Sequence, residues 1–171
     1  WPGVNIVASP KPGSSQWIEP RGPQHLFSPW AKKGSNTPKQ VNGLFYSIYF
    51  GYESPPALAG QGVFSTFYFE KDNETLYYFP GQRRVRRMPS YTYDSPQIGF
   101  ENQYTIDDVW ILNGNPDRFD WKLVGKKELY VPYNSYRLQD PTLKYKDIVT
   151  PLHINPEYLR YELHRVWVVE A

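Results

Sequence analysis

The sequence predicts a mostly β protein with antiparallel strands, and three features of its composition lead to that prediction. Aromatic residues make up 18% of the chain, as 15 Tyr, 9 Phe and 6 Trp. Such side chains suit the pleated, half-buried surface of a sheet. The chain also contains 17 Pro and 12 Gly, which mark turns. Aromatic segments separated by turn residues are typical of antiparallel sheets.

Residues 1–42 are predicted to form an irregular, proline-rich arm, and residues 43–171 a folded body. The arm shows little sustained alternation of apolar and polar residues, which argues against regular strands. It nevertheless carries Trp1, Trp17 and Trp30. A disordered tail seldom contains three tryptophans, so we expect the arm to dock on the body.

Six segments of the body alternate as strands do and end at turn residues. In the second of them, Phe67 and Phe69 share one face while Phe64 and Tyr68 share the other. A solvated sheet face would carry more polar residues, so we expect something apolar to cover both faces. The third and fourth segments are joined by a Pro-Gly-Gln turn, which predicts a hairpin. The predicted strands are 44–52, 62–70, 75–79, 83–88, 121–131 and 161–170.

Helices are predicted only as short pieces. Thr105 followed by Asp108 matches the start of a capping box, and Asn113-Gly114 supplies a helix stop. Asn155 before a proline predicts another helix start within residues 140–160. The chain opens at Trp1 and ends inside a predicted strand without a turn signal, so we expect a segment truncated at both ends.

Signals for catalysis or metal binding are weak in this sequence. His25, His153 and His164 are scattered and lack the close spacing of zinc ligands. Cysteine is absent, which excludes a disulfide framework and a thiolate metal site. No nucleophile elbow, P-loop or dinucleotide fingerprint occurs. We therefore expect a protein that is not an enzyme and that uses no cofactor or metal.

Four arginines stand close together within the fourth predicted strand. Alternation places Arg83 and Arg87 on one face and Arg84 and Arg86 on the other. Such a cluster contacts an anionic headgroup or a partner, protects an edge strand by charge, or binds nucleic-acid phosphates. The net charge of the chain is only +2 and no recognition helix accompanies the cluster, so we predict no sequence-specific nucleic-acid binding.

Aromatic residues on both faces of successive strands are difficult to explain by one core. A large core and the wall of a cavity are the two interpretations. For the cavity wall, the candidate ligand-binding residues are Phe67, Phe69, Tyr78 and Trp110, with Trp110 on the short helix expected to lie across the strands. An acyl chain bound there would gain about 0.8 kcal/mol for each methylene removed from water.

Three segments of the chain are long and distinctive: TLYYFPGQRRVRRMPSYTYD (75–94), TIDDVWILNGNPDRFDWKLVGKKELYVPYNSYRL (105–138) and NPEYLRYELHRVWVVEA (155–171). Through these segments, from about Pro55 to Ala171, the chain resembles a bacterial family of unknown function. Members of that family are similar to outer-membrane lipoprotein-sorting proteins of the LolA/LolB type.

This resemblance implies an unclosed antiparallel β half-barrel, with helices plugging its concave face and a cavity for acyl chains. It also implies a periplasmic or outer-membrane location, and an inner-membrane exporter of the resistance-nodulation-division type as a partner. The function expected is a carrier for a lipid, a lipoprotein acyl chain or another lipophilic molecule. The alternatives are a structural or assembly module of the bacterial envelope and a carbohydrate-binding module.

Overall fold

The computed structural model describes most of the chain. The described residues are 2–6, 9–10, 16–34, 37–89, 91–100, 103, 105–108, 116–150 and 152–171. The chain divides into two compact units, Trp1–Pro116 and Asp117–Ala171. This division differs from the predicted one, which separated an arm over 1–42 from a single body over 43–171.

The first unit is built on an antiparallel sheet of six strands in the order β1-β4-β5-β6-β7-β8. The sheet is open, since β1 and β8 are its two ends. A separate two-stranded ladder pairs β2 with β3. The strands of this unit are β1 (Pro2–Ile6), β2 (Ser9–Pro10), β3 (Trp17–Ile18), β4 (Arg21–Phe27), β5 (Leu44–Gly51), β6 (Gly62–Tyr68), β7 (Glu74–Phe79) and β8 (Arg84–Met88).

One face of this sheet carries the core. Phe50, Val63 and Tyr77 project from β5, β6 and β7 and pack with Tyr52 into one buried cluster. Tyr77 is 1% exposed, and its hydroxyl donates to Oε1 of Gln61 at 2.7 Å. Burial, reinforced by nearby Tyr91, raises the pKa of Tyr77, so this phenol remains a donor. Phe79 at the end of β7 and Met88 at the end of β8 pack against this cluster, together with Leu58 and Ile98 from the loops after β5 and β8.

The expectation that residues 1–42 are irregular was wrong, because β4 (Arg21–Phe27) is a regular strand of the sheet. Residues of β4 pair with β5 from Gln24↔Phe50 to Phe27↔Ser47, and β1 pairs with the other side of β4. Gly22 permits this approach, because a Cβ atom there would stand 1.7 Å from the carbonyl oxygen of Gly51. The paired residues of β4 and β5 are 20 to 26 positions apart in sequence, so local alternation did not reveal β4.

The second unit is a long antiparallel hairpin with short helical turns between its strands. Strand β9 (Lys122–Pro132) pairs with β10 (Tyr161–Glu170), with an irregularity in register between Val168 and Val169. The intervening chain contains the helix α1 (Tyr145–Ile148) and 3-10 turns over Tyr136–Gln139 and Pro156–Tyr158.

The predicted mostly β, unclosed antiparallel fold is confirmed, and all six predicted strands are present within two residues of their expected bounds. Asn155 caps the Pro156–Tyr158 turn, as predicted, by accepting from the backbone N–H of Glu157. Thr105 donates its backbone N–H to the Asp108 carboxylate at 2.8 Å. The rest of the helix predicted there lies outside the described residues. None of the helices that the structure describes is long and apolar enough to cross a membrane.

Candidate functional site

Opposite the core, the six-stranded sheet carries an apolar region over β5 to β8 that is exposed to solvent. Aromatic and aliphatic side chains from β5 to β8 stand on it with 38% to 61% of their surface exposed, among them Tyr49, Phe64 and Val85. They enclose a groove of about 370 Å³. The residues that line the groove are Tyr49, Gly60, Gly62, Val63, Phe64, Leu76, Tyr78 and Val85.

Strand register explains why these side chains meet. Phe64 is the cross-strand partner of Tyr49 on one side and of Leu76 on the other. In the next row, Gly62 pairs with Tyr78, which in turn pairs with Val85. Side chains of cross-strand partners stand on the same face about 5 Å apart, so the two rows form a continuous apolar surface.

A pair of glycines shapes one end of the groove. Gly51 and Gly62 are cross-strand partners and leave the exposed face without side chains at that point. The ring of Tyr49 lies over them, because Cβ atoms built on the two glycines would stand 2.9 Å and 3.3 Å from its atoms. The absence of side chains on these two glycines therefore makes room for the Tyr49 ring.

Two phenol groups supply the polar character of the groove. Tyr49 and Tyr78 are each more than a third exposed. Among the described residues, neither hydroxyl has a hydrogen-bond partner. An apolar groove with a few polar groups is the usual form of a small-molecule binding site. These phenols are available to a hydroxyl or carbonyl group of a ligand.

The four residues predicted to line a groove are not brought together. Tyr78 lies in the groove, whereas Phe67 is 7% exposed on the core face, where it stacks on Tyr46 at 4.3 Å. Phe69 is half-buried, and its ring centroid lies 5.2 Å from that of Trp30. Trp110 lies outside the described residues. Phe67 and Tyr78 therefore stand on opposite faces of the sheet.

Sequence reasoning missed most of the groove, although a signal for it was present. Alternation along the strand assigns Phe64 to the face opposite Phe67, and in the structure Phe64 is exposed on that face. Val85 and Arg87 alternate along the strand with Arg84 and Arg86, so the sequence pattern also assigns Val85 and Arg87 to one face. The missing information was which face the core covers, because both faces of β6 carry large apolar side chains.

Arg87 stands on the opposite face of β8 from Arg84 and Arg86, as predicted. Arg83, which was expected on the face of Arg87, instead lies in the turn before the strand. Arg87 is the cross-strand partner of Leu76 and so borders the groove. Arg84 and Arg86 pair with Phe79 and Tyr77 and point to the core side, where they remain exposed at the sheet edge.

Arg83 precedes the strand in a turn and adopts a left-handed conformation with φ 49°. Among the described residues, the acidic contact of the cluster is that of Arg87 with Glu74 at 3.9 Å.

The second unit contains a polar cluster around Glu162. Its carboxylate accepts from Nδ2 of Asn134 at 3.0 Å and pairs with Arg160 and His164 at 3.0 Å and 3.2 Å. The hydrogen bond from Asn134, with smaller contributions from His164 and Arg160, lowers the pKa of Glu162. Among the described residues, no group of three or more His, Cys, Asp or Glu side chains could hold a metal ion.

Comparison with known proteins places this chain in a family. A family model described as "Protein of unknown function (DUF1329)" matches residues 2–171. An uncharacterised protein of Pseudomonas aeruginosa is 47% identical over 142 residues, which cover 81% of this chain and 31% of that protein. The chain thus spans about a third of the length of that relative. No solved structure matches the chain. On this evidence the chain belongs to the DUF1329 family of proteins of unknown function.

Proposed function

We propose that this chain binds a lipophilic molecule in the groove on the exposed face of the six-stranded sheet. The observation that supports the proposal is the composition of that groove, whose walls come mainly from four neighbouring strands and are mostly apolar. Its volume of about 370 Å³ is within the usual range for small-molecule sites.

Ligand binding in the groove would remove water from two apolar surfaces. The exposed side chains Phe64, Leu76 and Tyr78 would lose contact with water when a ligand covers them, and so would the ligand itself. Each methylene of an acyl chain contributes about 0.8 kcal/mol on such burial. A contiguous exposed apolar patch is a common mark of an interaction site. No reaction chemistry is needed for this role, so we propose a carrier and not an enzyme.

The same proposal includes the location and partner implied by the resemblance to LolA/LolB-type proteins. We place the protein in the periplasm or on the periplasmic face of the outer membrane of a bacterium. An inner-membrane exporter of the resistance-nodulation-division type would then receive or supply the ligand. These elements rest on the resemblance alone.

Two phenylalanines provide a matched test of the proposal. Phe64 and Phe27 stand on the same face of the sheet and are 43% and 47% exposed, but only Phe64 lines the groove. We expect Phe64→Ala to weaken binding of an uncharged fluorescent phenylnaphthylamine probe at least fivefold, and Phe27→Ala to leave it unchanged. Both variants should lose similar, small amounts of stability, since neither residue is buried.

Mass spectrometry of an organic extract of the purified protein supplies the second measurement. We expect a co-purified lipophilic molecule in the parent protein and less of it in Phe64→Ala. A clean extract, together with no binding of the probe by the parent protein, would refute the proposal.

A structural or assembly module is the second candidate function, and the hairpin of the second unit favours it. Tyr130 and Leu163 are cross-strand partners that are 72% and 55% exposed, and Trp167 on the same face is 61% exposed. A two-stranded hairpin is marginally stable in water, so an exposed apolar face of this kind is suited to a protein partner. The outcome that refutes ligand binding in the groove would favour this candidate.

A further inference from the structure

We infer that the ligand of the groove is an amphiphile with a single anionic group, and that Arg87 is the one arginine of the cluster that binds that group. This inference rests on the proposed function, because it names the class of molecule that the groove would take. It is carried by the register of β7 and β8 and by the contacts of the four arginines.

Register places Arg87 at the end of an apolar row. Arg87 is the cross-strand partner of Leu76, which pairs with Phe64, which pairs with Tyr49. All four side chains therefore stand on the exposed face. Val85, two residues before Arg87 on the same face, lines the groove. A ligand that lies along this row would bring its end to the Arg87 guanidinium.

The other three arginines are directed or held elsewhere. Arg84 and Arg86 stand on the opposite face of β8. The guanidinium of Arg86 donates to Oε1 of Gln82 at 2.6 Å and lies 5.5 Å from the centre of the Phe79 ring. Arg83 is part of the turn before the strand. Arg87 is thus the arginine of the cluster that combines a strand position with the groove face.

Glu74 holds Arg87 only weakly. The closest atoms of the two side chains are 3.9 Å apart, and Lys71 approaches the same carboxylate oxygen at 3.5 Å. All three side chains are about half exposed or more. An exposed ion pair of this kind contributes little to stability, and Lys71 remains to neutralise Glu74. A ligand carboxylate or phosphate can therefore replace Glu74 and form the stronger two-pronged contact with the guanidinium.

The length of the row sets the size of the ligand. Neighbouring strands lie about 4.8 Å apart, so the three spacings from β8 to β5 span roughly 14 Å. An extended acyl chain of roughly a dozen carbons covers that distance. Beyond Tyr49 the row reaches His25 on β4, an exposed polar residue whose ring centre lies 6.0 Å from that of Tyr49. The apolar row therefore has a polar residue at each end, Arg87 on β8 and His25 on β4.

Displacement of the uncharged phenylnaphthylamine probe by matched competitors tests this inference. The competitors are dodecanoate, its methyl ester, dodecyl phosphate and inorganic phosphate. We expect dodecanoate and dodecyl phosphate to bind at least about tenfold more tightly than the ester, because a single hydrogen bond to a charged group already contributes that much. Inorganic phosphate should not displace the probe, because it lacks the apolar chain.

Variants of two arginines separate the groove face from the rest of the cluster. We expect Arg87→Gln to abolish the preference for the anionic competitors while leaving ester binding unchanged, and Arg87→Lys to restore part of it. Arg86→Gln, on the opposite face, should keep the full preference. An equal affinity for acid and ester in the parent protein, or a preference that survives Arg87→Gln, would overturn the inference but leave the proposed function intact. Failure of every competitor and of the probe to bind would overturn both.

Discussion

The ring of Tyr49 lies over Gly62 on the neighbouring strand, so that a Cβ atom on Gly62 would stand 3.3 Å from Cε2 of that ring. The backbone of Gly62 does not adopt a left-handed conformation, so a larger residue there would press on the Tyr49 ring without straining the backbone. The groove therefore depends on a missing side chain on β6 as much as on the aromatic side chains around it.

Substitution of Gly62 should narrow the groove. We expect Gly62→Val to displace the Tyr49 ring and to weaken binding of the phenylnaphthylamine probe at least fivefold. Because Tyr49 is partly exposed and can move, the loss of stability should stay within about 1–3 kcal/mol, the usual cost of overpacking.

Gly81→Ala is the control for this change, since a Cβ atom there meets nothing within 4 Å. Unchanged probe affinity in Gly62→Val would show that the space over Gly62 is not part of the binding site.

The two faces of β7 should respond differently to removal of a tyrosine hydroxyl. Tyr77→Phe removes the donor to Gln61 from the core and should lower the free energy of unfolding by about 1–2 kcal/mol. Tyr78→Phe, one residue later on the groove face, should change it by less than about 0.5 kcal/mol. Urea denaturation of the two variants makes the comparison. Equal losses would contradict the assignment of the core to one face.

Gly22 should be important for the pairing of β4 with β5. A Cβ atom on Gly22 would overlap the carbonyl oxygen of Gly51 at 1.7 Å, and backbone atoms cannot yield as a flexible side chain can. We expect Gly22→Ala to cost about 1–3 kcal/mol of stability or to detach β4 from β5. Hydrogen exchange of the Ser47 and Tyr49 amides, which point toward β4, would report the detachment. Exchange and stability both equal to those of the parent protein would rule out this pairing.

The stability of the second unit should fall in acid because of Glu162. Its folded-state pKa lies below the ordinary value, chiefly because Asn134 donates to the ionised carboxylate. Because this pKa is lowered on folding, the ionised carboxylate of Glu162 contributes fully to folding stability above its unfolded-state pKa. That stabilisation is lost as pH falls through the folded-state pKa. We expect Asn134→Ala to raise the pKa of Glu162 toward its ordinary value, as measured by nuclear magnetic resonance titration of its carboxyl carbon.

Gln139→Ala is the matched control for this titration, because it removes an exposed amide from the same unit without touching Glu162. An unchanged titration midpoint of Glu162 in Asn134→Ala would show that Asn134 does not stabilise the charged form.

The sequence by itself determined where the strands from β5 onward lie and which side chains share a face. Alternation along a strand is a local property, so Phe64 could be separated from Phe67, and Arg87 from Arg86, without knowledge of the fold. Helix caps are equally local, because Asn155 bonds within its own turn. These features depend on residues that are close in the chain.

Only the tertiary structure decided which face became the core and which became the groove. Both faces of β6 are apolar, and burial was settled by loop residues such as Tyr52, which pack on the side of Val63 and Phe67. Likewise, β4 became a strand through pairing with β5. Long-range contacts of this kind are made between segments distant in sequence, and the pattern of either segment alone does not contain them.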